Sequence, residues 1–366
     1  MIGRSHATLA TRTAAAVLGL AAATSCFVVP AEVRTFPTDD AKLYELAKKE
    51  GTVVWYGSAP LAPMRLMAGE FEKKYPGLKV EVLRIVGVQQ YQRFMQETQA
   101  RQYIADVLLL SDQPSMVAII DDGHVAEWKV PTHERFPEQF RMKNHAYATY
   151  LTDNAIIYNV KKVTPQEVKI LSDWKGVLDP RFKKRFAVTT MKCGACYAGI
   201  HMFLDPKLKS EYGIEFLQKV AAQKPAIYSE VLVALDRVIA GEHDFTYWTW
   251  EGIGWTKWQQ GAPVRWIHPK PTPLYSNSWQ FISKYAPHPH AGRLFQNWVT
   301  SEEGTRVLQQ IYGAPTVMSG VPDTRPVTKE PWYSPIVEPY TPDMVRWDRD
   351  YNRDMDLWAR ILQRAK

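Results

Sequence analysis

Two of the chain's three cysteines stand three positions apart in residues 191–199, MKCGACYAG. A pair spaced in this way could clamp a metal, form a disulfide, or sit in a small-residue loop that lets a ligand approach the backbone. A zinc site needs four donors, usually two such pairs. Only His201 lies close to Cys193 and Cys196, so the zinc set is incomplete. Tyr197 stands where c-type haem attachment needs His, which removes haem. In an oxidising compartment a Cys193–Cys196 disulfide is plausible and compatible with ligand contact.

Residues 245–255 (FTYWTWEGIGW) are the second stretch with chemical content. Aromatic faces such as Tyr247, Trp248 and Trp250 suit an organic ligand held by stacking, and Glu251 could hold a cationic group or a hydroxyl. Core packing is the competing role for each ring. Ser58 and Ser111-Asp112 follow β-rich runs and offer hydroxyls and free N–H groups, or turn chemistry alone. Asp121-Asp122 and Glu302-Glu303 read as solvated helix ends. His288 and His290 read as caps or surface groups in a Pro-His-Pro-His turn. The chain carries no G-x-S-x-G, H-E-x-x-H or phosphate loop.

The elements that must position these residues alternate. Helix patterns at 40–50, 64–75 and 90–101 separate apolar strands at 52–56, 78–85 and 105–110. That order implies crossover units and a mostly parallel sheet, with ligands expected beyond the carboxyl ends of the strands. Strands are also expected at 149–158, 186–190, 244–248 and 278–283, and helices at 196–204 and 289–299. After an extended Pro- and Tyr-rich run, Thr341-Pro-Asp caps a last helix. Its stripe of Met344, Trp347, Tyr351, Met355, Trp358 and Ile361/Leu362 is expected to be a packing face.

Composition sets the class. The chain has 366 residues, a length that favours two domains, with 46% hydrophobic and 23% charged residues and a net charge of +7. Lys and Arg are scattered rather than striped, so no nucleic-acid footprint is present. Arg4 and Arg12 flank a short apolar core at 13–24 and a small-residue site ending at Ala31, the pattern of a secretory signal. Cys26 raises lipoprotein processing as an alternative. The mature protein is expected to be soluble, exported and monomeric.

An ordered series of segments resembles the extracellular solute-binding proteins of ABC importers, the family-1 group that includes ferric-ion-binding members. It runs through 50–58 (EGTVVWYGS), 71–80 (FEKKYPGLKV), 96–98 (QET), 105–111 (ADVLLLS), 157–159 (IYN), 173–174 and 178–183 (LDPRFK). It continues through 240–242 (AGE), 286–291 (APHPHA) and 298–304 (WVTSEEG). Each segment is weak alone; their order is specific. The resemblance implies an α/β, two-lobed periplasmic-binding-protein fold of type II-like form, with a cleft between lobes and crossing hinge strands. It implies 1–31 as signal peptide, 32–148 with 276–320 as lobe 1, 149–275 as lobe 2, and 321–366 as an extension ending in a helix.

It also implies a small-molecule ligand, a permease and an ATPase as partners, no cofactor, and no chemistry on the ligand. By family position the loop with Cys193, Gly194, Cys196 and Tyr197 opens a helix whose N-terminus suits an anionic oxygen, with Lys192 adding charge nearby. Ferric-binding relatives carry adjacent tyrosines near 247–250. This chain has no Tyr-Tyr pair, which favours an organic solute, anionic or aromatic, over iron. Tyr275 and Asn277 lie in a segment that faces the cleft in relatives. An exported redox protein using Cys193 and Cys196 is the reading from another class.

Overall fold

The computed structural model describes residues 35–111, 113–276 and 278–365. The expected export signal, Cys26, Asp112 and Asn277 lie outside the described residues. Described residues form an α/β fold of two lobes, each built on its own sheet.

The first sheet has six strands in the order Lys79–Arg84, Thr52–Gly57, Val107–Leu110, Trp279–Ile282, Ala146–Ala148, Arg141–Met142. Its first three strands are parallel, because the helices Leu61–Lys74 and Val88–Gln99 return the chain between them. Val107–Leu110 is buried along its whole length, as expected of an apolar strand covered on both faces. Trp279–Ile282 comes back antiparallel beside it. The second sheet has five strands in the order Val264–Ile267, Ala155–Asn159, Phe245–Thr249, Phe186–Thr189, Ala226–Tyr228.

Two short strands join the sheets. Thr152–Asp153 lies in the chain between Ala146–Ala148 and Ala155–Asn159, and Thr272–Tyr275 lies between Val264–Ile267 and Trp279–Ile282. They pair antiparallel with each other. The strand expected at 149–158 is thus interrupted at Asn154. The Asn154 amide donates to the Ala195 carbonyl at 2.8 Å and the Thr249 carbonyl at 3.3 Å, tying the crossing segment to the start of one second-lobe helix and the end of one second-lobe strand. A third strand, Pro339–Tyr340, adds parallel to Thr272–Tyr275.

The helix Glu302–Tyr312 is capped by Ser301, with both glutamates in its first turn, where the helix dipole favours them. It ends at Gly313 with φ +61, a conformation that favours glycine; a Cβ there would also strike the Trp255 ring. The last helix, Met344–Arg364, starts at Asp343, whose carboxylate accepts from the N–H groups of Val345 and Arg346. Its expected stripe is a packing face: Trp347, Met355, Trp358, Ile361 and Leu362 are buried against the second lobe. No helix among the described residues is long and apolar enough to cross a membrane.

Candidate ligand cleft

A cavity of about 510 Å³ takes its walls from the ends of both sheets. Ser58, Arg84 and Ser111 follow or close strands of the first sheet; Cys193, Gly194, Glu230 and Trp250 come from the second lobe; Tyr150, Asp153 and Tyr312 stand between them. The Ser58 hydroxyl donates to Gln90 Oε1 at 2.7 Å, and the Ser111 N–H approaches Ser58 Oγ at 3.4 Å. A larger groove of about 810 Å³ runs between the last helix and residues 204–215, but none of the expected site residues lines it.

Four helices begin at this cavity. Their N-caps are Pro60, Cys193, Glu230 and Trp250, and all four line it. Pro60, Glu230 and Trp250 offer no side-chain cap to the first turn of their helices. The N–H groups and partial positive charge of a helix start therefore converge on one space from several directions. At the fourth helix, Cys193 Sγ accepts the Cys196 N–H at 3.0 Å. Cys193 and Cys196 form a disulfide with an S–S distance of 2.08 Å. The helix starts at Gly194, two residues before the expected start at 196, because the bridged Cys193 serves as its cap.

Tyr150 and Tyr312 stack at 4.9 Å with their planes 26° apart. Burial pushes both phenol pKa values up. The Tyr312 hydroxyl has no hydrogen-bond partner among the described residues.

Of the expected site residues, Ser58, Ser111, Cys193, Gly194 and Trp250 share the cavity wall. Cys196, Tyr197, Tyr247, Trp248, Glu251 and Tyr275 do not. Cys196 is the inner half of the disulfide and 1% exposed. Tyr197 donates its hydroxyl to Asp354 Oδ2 at 2.9 Å and packs edge-on to Trp347 at 4.6 Å, under the last helix. Tyr275 meets Trp347 at 4.9 Å, and Trp248 meets Trp358 at 4.9 Å. Tyr247 donates to the Trp174 carbonyl inside the second lobe. A bulge between Thr246 and Thr249, with Trp248 at φ +44, breaks the strand's alternation. Trp248 enters the core, and Trp250, two residues on, reaches the cavity.

Glu251 is fully buried in an ion network below the cavity floor. Its N–H donates to Asp153 at 3.2 Å, and its Oε1 accepts from Arg325 Nη1 at 2.7 Å. Arg325 also holds Asp323 through Nε and Nη2, at 2.9 and 2.6 Å. His268 Nε2 lies 3.2 Å from Asp153 Oδ2 and 3.3 Å from Glu251 Oε2. Burial opposes charge on this ring, but the two carboxylates outweigh it and raise its pKa to about 10.

Arg84, Tyr150, Asp153, Glu230 and Tyr312 were not expected at the site. Glu230 had a signal, since it immediately precedes the apolar run of the helix Val231–Ile239. Tyr150 and Asp153 lie in the crossing segment, where sequence alone does not say which groups face inward.

Among solved structures, a putative extracellular solute-binding protein from Bordetella parapertussis superposes with a TM-score of 0.66 at 16% identity, covering 86% of this chain and 99% of that one. Iron-bound HitA from Pseudomonas aeruginosa gives 0.65 at 19% identity, covering 85% and 99%. The substrate-binding protein of an ABC transporter from Agrobacterium tumefaciens gives 0.63 at 20%, covering 85% and 94%. Identities this low establish the fold. No curated protein sequence matches the chain. Residues 52–312 match the family model described as bacterial extracellular solute-binding protein, and the chain belongs to that family.

Proposed function

We propose that this protein is the periplasmic receptor of an ABC-type importer, closing its two lobes on a small organic acid and passing it unchanged to a permease driven by an ATPase. Residues 32–148 with 276–320 act as one lobe, 149–275 as the other, and 321–366 as an extension bound to the second. The two crossing strands bend as the cleft shuts.

The observation that carries this reading is the meeting of four helix starts at one cavity. A carboxylate there accepts backbone N–H groups near Gly194, the Ser111 hydroxyl hydrogen-bonds it from the opposite lobe beside Ser58, which Gln90 holds in place, and Arg84 adds charge. Glu230 stands on the same wall and takes an ammonium or hydroxyl of the solute. Trp250, Ile253 and Leu232 cover its carbon body. The volume lies within the range of about 300–1,000 Å³ usual for small-molecule sites.

A second reading rests on Tyr150 and Tyr312. Two phenols at the cavity, one without a hydrogen bond, offer oxygen donors to ferric ion, and HitA is a relative in fold that is iron-bound. Native mass spectrometry of the purified protein, then calorimetric titration with amino acids, other organic acids and ferric citrate, separates the two. One organic acid per chain, with a smaller radius of gyration on saturation, is the expected result. A visible phenolate-to-iron band lost in Tyr312→Phe supports the ferric reading instead. Binding of neither class, or turnover of a bound solute, overturns both.

A further inference from the structure

We propose that Asp153, Glu251 and His268 form a divalent-metal site beneath the cleft floor. The three side chains are at most 3% exposed, and their donor atoms face one another. His268 Nε2 stands 3.2 Å from one carboxylate oxygen and 3.3 Å from the other. Both contacts are long and poorly aligned for hydrogen bonds, and Nε2 and Glu251 Oε2 are both buried without a well-formed one. A hydrogen-bonded pair would orient the ring N–H at one oxygen. Donors bound at 2.0–2.1 Å around a tetrahedral ion instead lie about 3.3 Å apart, which matches the two spacings from His268 Nε2, and all three donors lie within 4.8 Å of one another.

The surroundings support an ion. His268 Nδ1 lies 3.1 Å from the Ser334 carbonyl oxygen, the kind of contact that fixes a metal-binding imidazole with Nε2 turned to the ion. Arg325 holds the other oxygen of Glu251, and the Glu251 N–H holds the Asp153 carboxylate. Asp153 and Glu251, both buried, carry one negative charge more than the buried Arg325 offsets, and the partly exposed Asp323 adds to it, so the pocket favours a cation. One nitrogen and two oxygens suit Zn²⁺, Mn²⁺ or Fe²⁺. Asp153 also lines the cavity, which gives the ion a route from solvent. Bound there, it joins a crossing strand, the helix behind Trp250, and, through Ser334 and Arg325, the C-terminal extension. None of this depends on which solute fills the cleft.

The test uses full-length oxidised protein stripped with a chelator, dialysed against Zn²⁺ or Mn²⁺, and analysed for metal content. About one ion per chain is expected, with affinity falling about tenfold or more in His268→Gln and in Glu251→Gln. Because either variant could misfold, X-ray absorption on the Zn²⁺-loaded wild type decides independently: nitrogen and oxygen ligation without sulfur is expected. A wild type that takes up no stoichiometric metal overturns the proposal and leaves a proton on His268 as the occupant. So does sulfur ligation, or a folded His268→Gln variant with wild-type affinity.

Discussion

The second lobe has two aromatic faces, one open to the cleft and one covered by the C-terminal helix. Trp250 is on the first; Trp248, Tyr197 and Tyr275 are on the second, with Trp358 and Trp347 laid over them. The residue types are alike and their positions in the chain are close. What separates them is place within an element. Trp250 and Cys193 are helix caps, where the chain turns at the cavity wall and first-turn N–H groups lack intrahelical carbonyl partners. Tyr197 lies inside the helix Gly194–Phe203 and Trp248 inside a bulged strand, where side chains meet neighbouring elements. Helix and strand ends line the cleft; their interiors pack.

The largest effect that would break this contrast is expected at Trp358. It is fully buried, lies 4.9 Å from Trp248, and donates Nε1 to the Thr189 carbonyl at 3.2 Å. Trp358→Ala should destabilise the protein by about 3–5 kcal/mol, while the fraction still folded binds solute normally. An unchanged urea midpoint would show that the helix is not part of the packed body. The mirror experiment is Trp250→Ala, expected to weaken solute affinity by about 1–3 kcal/mol in titration with a smaller loss of stability. Equal affinity in variant and wild type removes Trp250 from the binding surface.

The same contrast explains what the sequence discloses. The crossover order was legible because uniformly apolar runs such as Val107–Leu110 alternate with capped amphipathic helices. Ser58, Ser111 and the Cys193-Gly194 start were legible because location at an element's end is a local property. The roles of Tyr197, Trp248 and Tyr275 were not, since they depend on a helix more than 70 positions away. Nor was the Asp153–Glu251–His268–Arg325 network, whose members come together only in three dimensions. The Glu302–Tyr312 helix did have a local signal, a Ser cap before two glutamates, and the sequence reads those glutamates as a solvated helix end, which is where they stand.

Acid should act on the covered face first. His201 lies there, fully buried between Tyr197 and Trp347. Burial, with the Arg346 guanidinium close by, lowers its pKa from 6.5 to about 3. The unfolded chain therefore binds a proton below pH 6.5 that the folded one refuses, so stability falls as pH drops from about 6.5 toward 3. Between pH 7 and 5 the loss from this residue should be about 1–2 kcal/mol, and His201→Gln should remove that part of the slope. A variant whose pH profile parallels the wild type would mean that the ring is protonated in the fold.

The smallest effect gives the sharpest division between the faces. Tyr197 stands four residues from Cys193, and sequence reasoning places both against the ligand. The structure has the Tyr197 hydroxyl donating to Asp354 Oδ2 at 2.9 Å and lying 3.3 Å from His201 Nδ1, with Asp354 also held by Arg353. Tyr197→Phe keeps the ring and its contact with Trp347, and removes the hydroxyl's hydrogen bond to Asp354 and its weaker contact with His201 Nδ1. Its cost should be about 1 kcal/mol in urea unfolding, because Arg353 still satisfies the other Asp354 oxygen. Solute affinity should not change. A phenylalanine variant of wild-type stability with weakened binding would instead put Tyr197 at the cleft. The boundary between binding and packing would then fall inside the helix rather than at its cap.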